Sequence, residues 1–109
     1  MPNTYTNAKK YLTGTSVTTL YTAPALTTSI VKSILVSEDS GNADTITVTI
    51  TDTAASPATF SVFKTKSISA NGTTELLTAP FVMKTGEILK VTAATANRLH
   101  VIASILEVS

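Results

Sequence analysis

An antiparallel all-β sandwich of about eight short strands, with the jelly roll as one form it can take, is the fold class that this sequence predicts. Three observations lead there. The segment Thr45-Ile46-Thr47-Val48-Thr49-Ile50-Thr51 alternates strictly, with Ile46, Val48 and Ile50 on one face and four threonines on the other. Every residue in it is β-branched, which suits a pleated surface and disfavours a helix. Turn-forming clusters punctuate the chain at short intervals, as sandwiches and barrels require. No window of eleven or more residues carries a helical period. With 109 residues and 11.4 kDa, the chain has the size of one domain spanning residues 1–109, and such a chain buries roughly two thirds of its surface on folding.

In chain order, residues 1–12 read as an extended arm or a first strand. A strand over Val17 to Tyr21 ends at Ala23-Pro24. Ser29 to Ser37 is a strand with apolar residues on both faces, which calls for a central position or for cover on both sides. The turn-rich Glu38-Asp39-Ser40-Gly41-Asn42-Ala43 follows, and a hairpin joining Ser29–Ser37 to Thr45–Thr51 is expected across it. Thr59 to Lys64 alternates, and Asn71-Gly72 is a tight-turn signal. Thr73 to Leu77 is a strand that Pro80 ends, since proline cannot continue a ladder. Phe81 to Lys84 is short, and Gly86 turns the chain into Glu87–Thr92. Ala93 to Asn97 has room for one helical turn. In Leu99 to Val108, the residues Leu99, Val101, Ala103 and Ile105 point one way and His100, Ile102, Leu106 and Val108 the other. Two apolar faces on this strand call for a central position or for cover from a neighbouring subunit.

Composition narrows the function. The net charge is +1, with no basic patch to hold nucleic acid. With no cysteine, disulfides, Cys-ligated zinc and thiol catalysis are ruled out. Charged residues make up only 14%, against roughly 25% in an average soluble domain, and roughly one residue in five is threonine. A surface so poor in charge is weakly protected against association, so association is a candidate function. The opening residues lack the basic and apolar regions of a signal peptide, and no apolar run approaches the roughly 20 residues of a membrane helix. Synthesis in the cytoplasm and no membrane partner are therefore expected.

The candidate sites for chemistry are thin. His100 is the single histidine; it lies mid-strand among apolar residues, and no Gly-x-Ser-x-Gly elbow accompanies it, so a core or interface role is favoured over catalysis. The acidic segment 38–44 lacks the spacing of a calcium loop and reads as a solvated turn. Glu38, Asp39, Asp44, Asp52, Glu75, Glu87 and Glu107 offer no pair singled out for glycoside hydrolysis. The six aromatics are scattered and include no tryptophan, which argues against a sugar-binding platform. Asn71-Gly72-Thr73 matches a glycosylation sequon, although the turn reading accounts for it. No catalytic residue, metal ligand or cofactor site is expected.

Several segments together suggest a family. They are Asn3-Thr4-Tyr5-Thr6-Asn7-Ala8-Lys9, Leu20-Tyr21-Thr22-Ala23-Pro24, Ser29 to Ser37, Glu75-Leu76-Leu77, Ile88-Leu89-Lys90-Val91 and Ala103-Ser104-Ile105-Leu106-Glu107. Spread over nearly the whole chain, they resemble small virion structural proteins of tailed bacteriophages, especially those of aquatic bacteria. The resemblance implies a β-rich particle component, such as a capsid decoration (cement) protein or a small tail or fibre part, located in the virion. It transfers no residue roles.

The resulting expectation is a non-enzymatic capsid decoration protein that binds the major capsid protein or other virion proteins. Its alternative is a receptor- or glycan-binding module of a tail fibre or surface protein. A homo-oligomer is expected, with a trimer suggested by the local three-fold positions of capsids. The candidate interface is the face of Ile102, Leu106 and Val108, with Ile30, Ile34 and Val36 as the alternative.

Overall fold

The computed structural model describes residues 3–53 and 58–109. Met1 and Pro2, the start of the segment expected to be an arm or first strand, lie outside the described residues. Among the described residues nine strands form: β1 (Asn3–Tyr11), β2 (Thr18–Thr22), β3 (Thr28–Glu38), β4 (Asp44–Asp52), β5 (Ala58–Ile68), β6 (Thr73–Glu75), β7 (Phe81–Met83), β8 (Ile88–Ala93) and β9 (Leu99–Val108). They divide into two antiparallel sheets. The first, sheet A, runs β1-β9-β3-β6, with β7 also pairing β3; the second, sheet B, runs β2-β8-β4-β5.

The pairing β1 with β9, β2 with β8, β3 with β6 and β7, and β4 with β5 is that of one long antiparallel ribbon rolled up on itself. Closing contacts of β9 on β3 and β8 on β4 complete the roll. This is the jelly-roll strand order. The short strands β6 and β7 share one role in it. β7 covers the first half of β3, at Ser29–Val31, and β6 the second half, at Leu35–Ser37.

Alternation places the core between the sheets. Val31, Ile34, Val36, Leu99, Val101 and Ile105 enter it from sheet A, and Ile46, Val48, Leu89 and Val91 from sheet B, all essentially inaccessible to solvent. The four threonines of β4 line the other side, as the sequence pattern predicts. The central position expected for Leu99–Val108 is observed, with β9 between β1 and β3.

Three expectations need correction. Ser29–Ser37 and Thr45–Thr51 do not form a hairpin: β3 lies in sheet A and β4 in sheet B, so residues 39–43 arch between the sheets. β4 pairs instead with the next strand, β5. No helical turn forms at Ala93–Asn97; a turn takes its place, with Asn97 in the left-handed region at φ 63°. Ile34 and Val36 do not share a face with Ile30. A bulge between Val31 and Ser33 shifts the alternation by one residue. Ile30 therefore pairs with Leu106 on the outer face, while Ile34 and Val36 point into the core at 0% exposure and cannot meet a partner protein.

Candidate interaction surface

The outer face of sheet A gathers apolar side chains in cross-strand rows. Residues directly opposite one another in a ladder share a face. One row runs Tyr5, Leu106, Ile30 and Val82 across β1, β9, β3 and β7. A second runs Lys9, Ile102, Leu35 and Glu75 across β1, β9, β3 and β6. Between them lies a polar row of Asn7, Ser104 and Ser33, with the bulged Lys32 beside it. Tyr5 is 75% exposed, Val82 57%, Ile102 42% and Leu35 38%. Such a cluster left in water is the usual mark of an interaction surface, and covering Ile102 or Leu35 contributes roughly 1 kcal/mol each.

Of the residues expected at an interface, Ile102, Leu106, Val108 and Ile30 all lie on this face. The structure adds Tyr5, Leu35 and Val82, which sequence patterning alone did not single out. Their membership depends on register with β9 and β3, which no local pattern encodes. A further exposed apolar residue, Leu26, sits in the loop before β3 at 92% exposure and φ 55°, a conformation unfavourable for a branched side chain.

Lateral association is discouraged by contrast. Edge strand β1 carries Lys9 and Lys10, edge strand β5 carries Lys64 and Lys66, and β6 and β7 are three residues each. Lysines and short strands are common devices against edge-to-edge pairing.

His100 sits at the end of the same outer face. Its ring lies against Tyr11, with centroids 4.5 Å apart and planes tilted by 42°. Its Nε2 is 3.8 Å from an Asp39 carboxylate oxygen. Ser37 is its cross-strand neighbour in the β3/β9 ladder, and among the described residues no side-chain hydrogen bond is added between the two. A groove of about 250 Å³ opens beside this pair, lined by Lys9, Lys10, Tyr11, His100, Val101 and Ile102.

The carboxylates turn to architecture. Glu38 is 3% exposed and accepts hydrogen bonds from the Ser40 N–H and hydroxyl, the Gly41 N–H and the Asn71 N–H. Burial pushes its pKa up, but these donors outweigh it and hold the carboxyl at about 2. Glu38 thus ties the 38–41 arch to the Asn71-Gly72 turn, and its acceptor capacity faces the backbone. Asp44 accepts from the Thr95 N–H and Glu87 from the Lys84 N–H. Glu75 accepts from the Ser33 hydroxyl and from the N–H groups of Ile34 and Leu77, closing β6 over the β3 bulge. Burial raises its pKa, and these bonds more than reverse the effect, so the carboxyl stays below its usual range. Among the described residues, no three His, Cys, Asp or Glu side chains converge as metal ligands would.

One polar cluster bridges the sheets. Tyr21 on β2 donates to the Glu107 carboxylate at 2.5 Å, and its oxygen lies 2.7 Å from the Ser29 hydroxyl. A phenol has one proton to give, so Ser29 must be the donor in the second bond. Ser29 and Glu107 face each other across β3 and β9, and Ser29 is fully buried. Burial, then the bond to Glu107, lifts the Tyr21 pKa to about 12. The cluster holds the sheets together at one end of the sandwich.

Comparison with protein families and with curated proteins finds no match to this chain.

Proposed function

We propose that this chain is a non-enzymatic virion structural protein, a capsid decoration protein that associates with copies of itself and with the major capsid protein through broad sheet surfaces. The observation that carries the reading is the outer face of sheet A. It holds two rows with apolar centres across four strands, and a lone monomer leaves it in water. Proteins that bind by area concentrate their energy in a few apolar and aromatic anchors and keep charge away from them. Tyr5, Leu106, Ile30 and Val82 have that composition, and the row contains no charge. The jelly roll supports the reading more weakly, because capsid proteins, lectins and cupins all use it. The resemblance to small phage virion proteins supplies the particle context.

The test adds the purified chain to expanded capsids of the particle that carries it. Binding at many copies per particle, with a higher capsid melting temperature, is the expected result. Binding at few copies, or binding to host cells or glycans with no effect on capsids, supports the receptor-binding alternative and overturns the proposal.

A further inference from the structure

We infer that the outer face of sheet A is self-complementary, and that its occupant is a second copy of this chain related by a two-fold axis parallel to the strands. The inference rests on the interaction role proposed above and deepens it by naming the partner and the geometry.

The order of side chains along each row is complementary to its own reverse. A two-fold axis in the interface, running along the strands between β9 and β3, lays β1 of one copy over β6 and β7 of the other, and β9 over β3. Each row then meets itself in reverse. Lys9 of one copy faces Glu75 of the second copy, and Ile102 faces Leu35. In the other row Tyr5 faces Val82 and Leu106 faces Ile30. In the polar row the bulged Lys32 comes over Ser104 and Asn7, and at the end His100 comes over Ser37. No like charges are opposed. Every contact occurs twice, as an isologous interface requires. Aligned sheets cross at about 30°, so the match is closest on the inner strands β9 and β3, and the long Lys9 stem spans the divergence at the rim.

The competing axis, running across the strands, fits worse. It sets Glu75 against Val82 and Lys9 against Tyr5, leaving a carboxylate on an apolar side chain. Area is adequate. Four strands about 4.8 Å apart and about 30 Å long give a flat footprint on the order of 600 Å². Side-chain relief brings this near the roughly 800 Å² per partner of a standard interface. Face-to-face packing of one flat sheet closes at two copies. A three-fold assembly, as the capsid argument suggests, would have to use other surfaces.

Lys9 and Glu75 lie at opposite edges of the sheet, separated by three strand spacings, or about 14 Å. That is too far for contact within one chain, so any energetic coupling between them reports a second copy. Sedimentation of the wild-type chain at micromolar concentration is expected to give twice 11.4 kDa. Lys9→Glu opposes Glu75 twice and weakens the dimer by roughly three- to tenfold. Raising the salt concentration screens this repulsion and brings the affinity of Lys9→Glu to within about threefold of wild type, with Glu75 left in place because its carboxylate also closes β6 over the β3 bulge. Lys10→Glu, on the same strand but directed off this face, leaves the dimer unchanged. Ile102→Lys yields monomers whose circular dichroism matches wild type, because Ile102 is already 42% exposed. A monomer or a trimer for the wild type, equal effects of Lys9→Glu and Lys10→Glu, or dimers that survive Ile102→Lys would each overturn the inference. A dimer that fails to bind capsids sinks only the decoration reading; a monomer that decorates capsids sinks only this one.

Discussion

Replacing Tyr21 with Phe removes one oxygen and no packing volume, so it isolates the polar link between the sheets. Two hydrogen bonds are lost. One joins the phenol to the Glu107 carboxylate and the other receives the proton of the buried Ser29. A bond to a charged group contributes about 1.5–3 kcal/mol and a neutral one about 0.5–1.5 kcal/mol. Glu107 is half-buried and regains water, which brings the expected loss to about 2 kcal/mol. For a chain of this size that lowers the melting temperature by roughly 8–10 °C. The pH dependence supplies a second signature. The folded pKa of Tyr21, about 12, lies above its ordinary value of 10.0. The native state therefore holds this proton more tightly than the unfolded state. The associated stability is complete below pH 10 and is lost as pH rises toward 12. Two pH units correspond to about 2.7 kcal/mol, and solvent screening at this half-buried ring reduces that to roughly 1–2 kcal/mol. Thermal melts of both proteins from pH 7 to 12 read both effects. A variant that melts within about 2 °C of wild type at pH 7, with a parallel decline above pH 10, would refute the bridging role.

Further outcomes follow from the same structure. Glu38 titrates at about 2 in the fold against an ordinary 4.5, so wild-type stability falls as pH drops from 4.5 toward 2. Glu38→Gln should be less stable at pH 7 and show a flatter decline over that window, measured by melting at pH 7, 4, 3 and 2. Leu89→Ala, at a fully buried position of β8, should cost about 2–5 kcal/mol in urea titration through the cavity it leaves. Gly86→Ala should cost about 1 kcal/mol, because Gly86 sits at φ 85° and an added Cβ would come within 3.3 Å of the Thr53 hydroxyl oxygen. An unchanged urea midpoint would refute that reading of the turn.

The face of each long strand could be read from the sequence wherever alternation is unbroken. β4 and β9 are the clear cases: Ile46 and Val48, and Val101, Ala103 and Ile105, enter the core as the period of two predicts. In β3 the period of two puts Ile34 and Val36 on the face of Ile30, whereas the bulge at Lys32 inserts a residue and turns them inward, and neither charge nor composition marks the insertion. The 38–43 segment has the residues of a tight turn, and the same residues also suit an arch between sheets. What distinguishes them is where Glu38 points, and its partner Asn71 is 33 positions away. Tyr21, Ser29 and Glu107 meet only because β2, β3 and β9 converge, so no local spacing could announce their cluster. The apolar outer face was legible in part: β9 contributed its own half, while Tyr5, Leu35 and Val82 join it through register alone.

The proposed role is to cover surface, in pairs, on a repeating lattice. A cryo-EM reconstruction of the particle that carries it is the most direct test. Density for the jelly roll is expected at every equivalent position of the capsid surface, in two-fold pairs whose Ile102 and Leu35 face one another. Density confined to a few copies at the tail, or capsid-bound copies with the outer face of sheet A open to solvent, would contradict it.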